Sequence, residues 1–324
     1  MRRNFVREKK IFCGEKYLEV DIVPVTNIPQ TGRKKKKESS QKQKNLNEKN
    51  SRRRFVQTAN TNFDEGDLHL SLTYNERHLP HTLKDAEKEV HNFLNKVKRK
   101  MRKDAGLELR YMLVTEYTPE NVQEELENEK DPETDGQGDR NEKVVRIHHH
   151  IILNKGISRD DLELMWSHTK INWKKAQDPE YRKETDSLGY ANCDRLQPGE
   201  NGIEALVKYI NKRKKGCKKW SCSRNLKKPV IRKNDHRFSF RKIRKLAETP
   251  EDREYWRNLY KGYEPVSINF QYNENTGWSI YLKLKNHAGR KPGRKYESRE
   301  KREKHGKRRE MNGNDSGADR CGRA

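Results

Sequence analysis

Hydrophobic positions recur with two different periods in the middle of the chain. The segment Leu68–Tyr74 is apolar at every second position, which is typical of a β-strand with one buried face. Between positions 83 and 101, apolar residues recur every three or four positions, which predicts a helix. Thr82 and Asp85 have the spacing of a capping box at the start of this helix, and Gly106 marks its end.

Two more strands follow this helix. Leu109–Tyr117 and Lys143–Leu153 are rich in β-branched and apolar residues, and the polar segment between them predicts a long acidic hairpin loop. Ser158 and Asp161 then cap a second helix. Because two successive strands are joined without a helix, the order β-α-β-β-α-(β)-α predicts an α+β fold with an antiparallel central sheet and flanking helices.

The pattern continues with one more helix and a hairpin. A helix is predicted from Asn201 to Gly216, and its buried face has the i, i+3, i+4, i+7 spacing of Ile203, Leu206, Val207 and Ile210. Val266–Tyr272 and Trp278–Leu284 alternate as strands do and predict a closing hairpin.

Composition changes this picture by adding a strong positive charge. The chain has 324 residues, of which 38% are charged and only 30% hydrophobic, and its formal net charge is +25. A packed core therefore cannot extend over the whole length. So large a positive charge attracts polyanions, and nucleic acid is the expected partner.

The cysteines and the apolar runs indicate a cytoplasmic protein. Five cysteines occur without a two-residue gap between any pair, and neither a secretory segment nor a membrane-spanning run is evident. We therefore expect reduced thiols and no membrane association. Cys217 and Cys222, four residues apart, keep a zinc site open as an alternative.

Three consecutive histidines lie at the centre of the third strand. Alternate side chains of a strand share a face, so His148 and His150 point the same way, about 7 Å apart, while His149 points away. Imidazole is a common metal ligand, so the pair could bind one metal ion. The alternative is a chance histidine cluster in a sheet.

A carboxylate on the preceding strand extends this candidate metal site. If the two strands pair as a hairpin, Glu116 could reach the side of His148 and His150. Two imidazoles and a carboxylate with open positions suit Mg²⁺ or Mn²⁺ bound also by phosphate oxygens. Alternatively, Glu116 is a surface residue at a strand end. His69, on the first strand, is a weaker candidate ligand.

The last predicted helix carries a candidate nucleophile. Tyr209 lies about 110° from the centre of the apolar face, where its hydroxyl can project into a cleft, and Lys212 follows one turn later. A tyrosine that attacks phosphorus needs its phenol, with an ordinary pKa of about 10, beside a cation that favours the phenolate. Lys212 could supply part of this positive charge, or it could bind the phosphate. In so lysine-rich a chain, one such pair is also expected by chance.

Three short motifs occur in order along the chain: Leu-Ser-Leu-Thr-Tyr at 70–74, His-His-His at 148–150 and Tyr-Ile-Asn-Lys at 209–212. Together they resemble the motifs of the HUH endonuclease superfamily, in particular the rolling-circle replication initiators of Gram-positive plasmids and phages. The resemblance extends to Lys42–Asn47 and Trp220–Pro229 and covers most of residues 1–230. His149 departs from the family pattern, which has a hydrophobic or aromatic residue there.

The resemblance implies a metal-dependent endonuclease and ligase that makes a site-specific nick in single-stranded or cruciform origin DNA. Tyr209 would attack the scissile phosphate, remain linked to the 5′ end and release a 3′-hydroxyl that primes synthesis. His148 and His150 would hold the Mg²⁺ or Mn²⁺. The reverse attack would rejoin the strand.

The resemblance also implies partners and regions. Since the helix has a single tyrosine, termination would need a second subunit in a dimer, a water or another group. No P-loop motif occurs, so a host helicase and polymerase in a bacterial cytoplasm would be needed. We expect a basic N-terminal arm at 1–60, a nicking and joining domain at 61–230, an extension with a helix and hairpin at 231–288, and a disordered basic tail at 289–324.

Other functions stay open at this point. A relaxase or single-tyrosine transposase would use the same chemistry. A catalytically silent protein could bind nucleic acid through phosphate contacts alone. A zinc-structured regulator could use Cys217, Cys222 and the histidines. Three tryptophans could stack on bases, although packing is the simpler role for each: Trp166, Trp173 and Trp220.

Overall fold

A computed structural model describes residues 4–26, 40–117, 146–210, 220–250 and 252–286. The strands in these residues are β1 Asn4–Cys13, β2 Tyr17–Thr26, β3 Leu68–Thr73, β4 Tyr111–Glu116, β5 His148–Leu153, β6 Ala191–Arg195, β7 Ser221–Cys222, β8 Val230–Asn234, β9 Tyr263–Asn273 and β10 Gly277–Asn286. The helices are α1 Gln41–Asn62, α2 Leu83–Ala105, α3 Arg159–Met165, α4 Pro179–Glu184, α5 Glu204–Ile210, α6 Phe240–Glu248 and α7 Arg253–Leu259. They confirm the predicted α+β class.

The strand with the three histidines is the middle strand of a five-stranded antiparallel sheet, the histidine sheet. Its strand order is β6-β3-β5-β4-β7, and β5 pairs with β3 on one side and with β4 on the other. The predicted pairing of the second and third strands is therefore confirmed. Because β5 pairs with both β3 and β4, both neighbours fix its register. The positions of its side chains are therefore well defined.

Both faces of the histidine sheet are covered by helices. On one face, α2 and α3 pack against the sheet through a buried cluster that includes Leu70, Leu72, Val90, Phe93 and Ile151. On the other face, α1 and α5 pack against it through a second cluster that includes Phe55, Val114, Ile152, Val207 and Ile210. Alternate residues of β5 therefore point into two different environments.

The predicted start and end of α2 and the predicted start of α3 are confirmed, whereas α5 begins at Glu204 rather than Asn201 and its predicted end at Gly216 lies outside the described residues. The Thr82 side chain accepts a hydrogen bond from the Asp85 amide at the start of α2, and Gly106 ends the helix with a φ of 63°. Since only glycine adopts that backbone region without strain, Gly106 is a sequence signal with a physical cause. Ser158 caps α3 in the same way, by accepting from the amide of Asp161.

A second antiparallel sheet has the strand order β8-β1-β2-β10-β9. Its hairpin β9–β10 corresponds to the hairpin predicted at 266–284. Helices α6 and α7 cover one face through a cluster that includes Val20, Ile22, Ile243, Trp256 and Leu282. This half of the molecule therefore has a hydrophobic core of its own.

The second sheet corrects the reading of the first sixty residues as a charged arm. Where that arm was expected, the described residues instead form β1, β2 and α1. Val20 and Ile22 are fully buried, and so are Phe55 and Ala59 of α1. Charge hides the pattern, because acidic residues alternate with the apolar ones in β2 and three consecutive arginines precede Phe55 in α1. Residues 27–39, 118–145 and 287–324, which include the predicted acidic loop and tail, lie outside the described residues.

Helix α1 lies between the two sheets. Its Phe55 packs on the histidine sheet, while Arg53 donates hydrogen bonds to Glu19 at 2.8 Å and to Asp21 at 2.6 Å on β2. Helix α5 also contacts both halves, because Glu204 in its first turn accepts a hydrogen bond from Lys283 of β10. The apolar side of each helix thus contacts one sheet, and charged pairs link it to the other.

Within the part of the chain that the structure describes, no helix combines the length and the apolar composition needed to cross a lipid bilayer.

Candidate active site

Strand register brings the predicted metal ligands together at one end of the histidine sheet. His148 lies opposite Glu116 of β4 and Thr73 of β3, and His150 lies opposite Ser71 of β3. Residues opposite one another in an antiparallel pair point to the same face. The side chains of Glu116, His148 and His150 therefore share the face that α1 and α5 cover further along the sheet.

The three side chains are close enough to bind one ion together. The His148 Nε2 and Glu116 Oε2 atoms are 3.1 Å apart, and the rings of His148 and His150 are 5.0 Å apart between centroids. Each of the three residues offers a ligand atom within 4.8 Å of the others. A cation with bonds of about 2.1 Å needs ligand atoms roughly 3 to 4 Å apart, so small side-chain rotations close the set.

The hydrogen bonds of His148 fit a cation at this place. Its Nδ1 is 2.9 Å from the Arg146 carbonyl oxygen, which can only accept, so Nδ1 carries a proton. In the neutral imidazole, Nε2 is then a bare acceptor that faces the carboxylate of Glu116. Two acceptors at that distance repel each other unless a proton or a metal ion is shared between them. A divalent cation between the two atoms would remove this repulsion, as would a second proton on the ring.

His150 is held as a neutral imidazole. Its pKa is lowered to about 4, chiefly by burial and then by the neighbouring His148 and His69, against a smaller opposite effect of Glu116. At neutral pH the ring therefore carries no proton that a metal ion would have to displace. Its Nδ1 lies 3.1 Å from the Ser71 hydroxyl and 3.2 Å from His69 Nε2, so these two residues set the orientation of the ring.

His69, the weaker candidate ligand, lies beside His150 rather than across from it. The two rings stack with centroids 5.3 Å apart, and burial lowers the pKa of His69. Ser71 was not singled out from the sequence, although it lies within the Leu-Ser-Leu-Thr-Tyr motif. The alternation of that strand could have identified it, because Ser71 is two residues from His69 and must share its face.

His149 points to the opposite face, as the strand alternation predicts. It is completely buried, 2.8 Å from the Tyr74 hydroxyl and 2.9 Å from the Thr115 hydroxyl. Trp166 lies next to this pair and packs edge-on against Tyr74. His149 is thus a hydrogen-bonded core residue that links β5 to β3 and β4.

Tyr209 is next to the histidine pair. Its ring lies 5.8 Å from the ring of His150 between centroids, and its side chain is 58% exposed. Val207 and Ile210 are buried against the histidine sheet and hold α5 in place, so Tyr209 is at the rim of the apolar face, as predicted. Lys212, the other predicted catalytic residue, lies outside the described residues.

The tryptophans mainly serve packing. Trp166 is fully buried and donates a hydrogen bond to the Thr73 carbonyl oxygen at 2.8 Å, which excludes it from base stacking. Trp220 packs edge-on against Phe55. Trp173 is 40% exposed with the Lys100 ammonium over its ring. In the zinc alternative, Cys217 lies outside the described residues, and the metal-competent groups found among those residues contain no cysteine.

Comparisons with known proteins add no relative: no family model, curated protein or solved structure matches the chain. The geometry of the site and the three motifs therefore carry the functional argument.

Proposed function

We propose that the protein is a metal-dependent DNA nicking and joining enzyme of the HUH type that initiates rolling-circle replication. The observation that supports this most is the proximity of an exposed tyrosine to a His-His-Glu ligand set. Tyr209 lies on a separate helix, yet its ring contacts His150, which shares a face with His148 and Glu116. An exposed phenol and a cation site are the two parts that tyrosine attack on a phosphodiester needs.

In the proposed step, the scissile phosphate is transferred from the 3′ oxygen of the DNA strand to the tyrosine. The Tyr209 Oη forms a bond to the scissile phosphorus and loses its proton to solvent or a neighbouring base. The bond from phosphorus to the 3′ oxygen breaks, and that oxygen takes up a proton. The 5′ end stays on the tyrosine, and the reverse attack by the 3′-hydroxyl restores the strand. Mg²⁺ or Mn²⁺ held by Glu116, His148 and His150 would polarise the phosphate and offset its developing charge.

The surroundings of the site fit a DNA strand. The net charge of +25 favours a polyanion, and the β3 positions on the histidine face are polar and partly exposed, with Ser71 and Thr73 beside the ligand set. In this proposal the substrate is single-stranded or cruciform origin DNA, and a host helicase and polymerase continue from the new 3′ end.

A relaxase or transposase with the same chemistry is the nearest rival, and its substrate would be a transfer origin or element end. A binding protein without catalysis is the rival of another class. It predicts salt-dependent DNA binding and no covalent product.

The decisive experiment uses the full chain, Mn²⁺ and labelled single-stranded oligonucleotides that tile the DNA around its gene. We expect a nicked product and a covalent protein–DNA adduct on a denaturing gel, mapped by mass spectrometry to Tyr209. Tyr209→Phe should abolish both, by a factor of at least about 10³, and leave DNA binding within about twofold, because the exposed ring makes little packing. Tyr190→Phe is the matched control, since Tyr190 is 70% exposed. An adduct on Tyr190, or none with any oligonucleotide, contradicts the proposal.

A further inference from the structure

A second group of metal-competent side chains lies away from the proposed active site and shares no residue with it. It consists of His78 in the connection between β3 and α2, His168 just after α3, and Asp186 shortly before β6. Their ligand atoms also lie within 4.8 Å of one another. Because the three residues come from three separate segments, only the folded chain brings them together.

The contacts within this group are those of a preformed ligand set. His78 Nε2 lies 2.9 Å from Asp186 Oδ1, and the rings of His78 and His168 meet edge-to-face with centroids 5.0 Å apart. Glu89 of α2 is also near this group, with its Oε2 3.4 Å from His168 Nε2. The His78 side chain is mostly buried, at 12% exposure, whereas those of His168 and Asp186 are about half exposed, at 48% and 41%. An ion can therefore enter from solvent.

The group lies at the base of an excursion between α3 and β6 in which Ala176 is buried and Trp173 contacts Lys100 of α2, while most other residues are exposed. Ser167 and Ser187 form an isolated β-bridge that closes the excursion, and His168 and Asp186 are the next residues inwards. The helix within it, α4, has no buried residue. A segment with so few apolar contacts gains little from hydrophobic burial, and a metal ion that joins its base to a neighbouring segment would compensate.

We propose that His78, His168 and Asp186 bind one zinc ion that fastens this excursion to the β3–α2 connection. Two imidazole nitrogens and a carboxylate oxygen are ligands that zinc accepts in a tetrahedral site. Glu89 or a water takes the fourth position. The site is separate from the one proposed for catalysis, so the two hypotheses can fail independently.

The competing explanation is a plain ion pair between a protonated His78 and Asp186. Contact with His78 lowers the pKa of Asp186, as such a pair would. Arg77 also lies 3.8 Å from Asp186, but its side chain is 81% exposed and can move away without loss of packing. The ion pair needs neither His168 nor a metal, whereas the zinc site needs both histidines.

Metal stoichiometry separates the two explanations. The untagged full chain with His148→Ala and His150→Ala lacks the catalytic ligand pair, and we expect it to retain about one equivalent of zinc after dialysis, measured by elemental analysis. Cobalt in place of zinc should give the absorption of a tetrahedral site without a thiolate band. Adding His168→Gln should remove the zinc, and His78→Ala should do the same. His91→Ala, at an exposed histidine of α2, should not.

Limited trypsin digestion tests the structural role. Exposed lysines lie within the excursion at Lys174, Lys175 and Lys183. We expect zinc to slow cleavage there at least about tenfold in the parent chain, and to have no effect once His168→Gln is present. Because His168 is half exposed, that variant keeps its fold, which circular dichroism verifies. Zinc content that His168→Gln leaves unchanged, a cobalt–thiolate band, or cleavage insensitive to zinc would each overturn the proposal.

Discussion

The two sheets of this protein have the same number of strands and the same antiparallel pairing, yet they are buried differently. The histidine sheet has helices on both faces, so its central strand β5 is almost wholly buried. The second sheet has α6 and α7 on one face, while its other face carries Glu19, Asp21 and Lys9 around a cavity of about 910 Å³ beside α1. A functional group on β5 is therefore rigidly supported. The second sheet instead carries buried carboxylates on that face, which Arg53 of α1 pairs.

The largest expected difference between the sheets is in catalysis. His148→Ala or His150→Ala should lower metal-dependent nicking by at least about 10²-fold, because each change removes a ligand of the ion that stabilises charge at the phosphate. His236→Ala, at an exposed histidine next to β8 of the second sheet, is the control and should leave the rate unchanged. Initial rates at saturating Mn²⁺ measure both. Equal losses from all three substitutions would place the catalytic role outside the histidine sheet.

The second sheet should nevertheless matter as much for stability. Ile22→Ala in β2 should lower the free energy of unfolding by about 3 kcal/mol, because Ile22 is completely buried and its removal leaves a cavity. Ile231→Ala, at a 51% exposed position of β8, should cost less than about 1 kcal/mol. Urea denaturation measures the difference. A negligible effect of Ile22→Ala would mean that β1 and β2 are the loose arm that their charge suggests.

Acid should weaken the histidine sheet in particular. The pKa of His150 is about 4 in the folded chain, below its ordinary value of 6.5, so below pH 6.5 the unfolded chain binds a proton that the folded chain does not. Stability should therefore fall as the pH drops from 6.5 to 4, by up to about 3 kcal/mol, and show no contribution from this residue above pH 7. Metal-free protein with His150→Gln should lack this part of the pH dependence in thermal unfolding.

The contact between α1 and the second sheet should give the smallest of these effects. Arg53→Ala should cost about 2 kcal/mol, because it leaves Glu19 and Asp21, which are mostly buried, without their shared cation, although solvent reaches Arg53 and weakens the effect. Arg52→Ala, which removes an exposed pair with Glu48 on the same helix, should cost less than about 0.5 kcal/mol. Similar losses of unfolding free energy for Arg53→Ala and Arg52→Ala would mean that the contact between α1 and the second sheet adds no more stability than an exposed ion pair.

The same contrast explains which elements could be predicted. In β3 the residues between the apolar positions are uncharged, and in α2 the charges stay off the buried face while Thr82 and Gly106 mark the helix ends, so both elements follow from local sequence. In β2 the alternation is present too, but Glu19 and Asp21 lie between the apolar residues. Each is stabilised by Arg53, a partner on another element, and local sequence carries no sign of that partner.

The candidate site divides in a similar way. The shared face of His148 and His150 follows from strand alternation, and the position of Glu116 follows once β4 and β5 pair. The contact between Tyr209 and His150 depends on how α5 packs on the sheet, which no motif encodes. The group of His78, His168 and Asp186 was not recognised at all, because its members are far apart in sequence and belong to no motif.

The bond between Glu204 and Lys283 has a consequence for the nucleophile. Helix α5, which carries Tyr209, packs on the histidine sheet, and its first turn is hydrogen-bonded to the second sheet. The orientation of the phenol therefore depends on both halves of the molecule. Truncation before β10 would leave every proposed metal ligand in place. It would nevertheless remove Lys283 and so free the start of the helix that carries the Tyr209 hydroxyl.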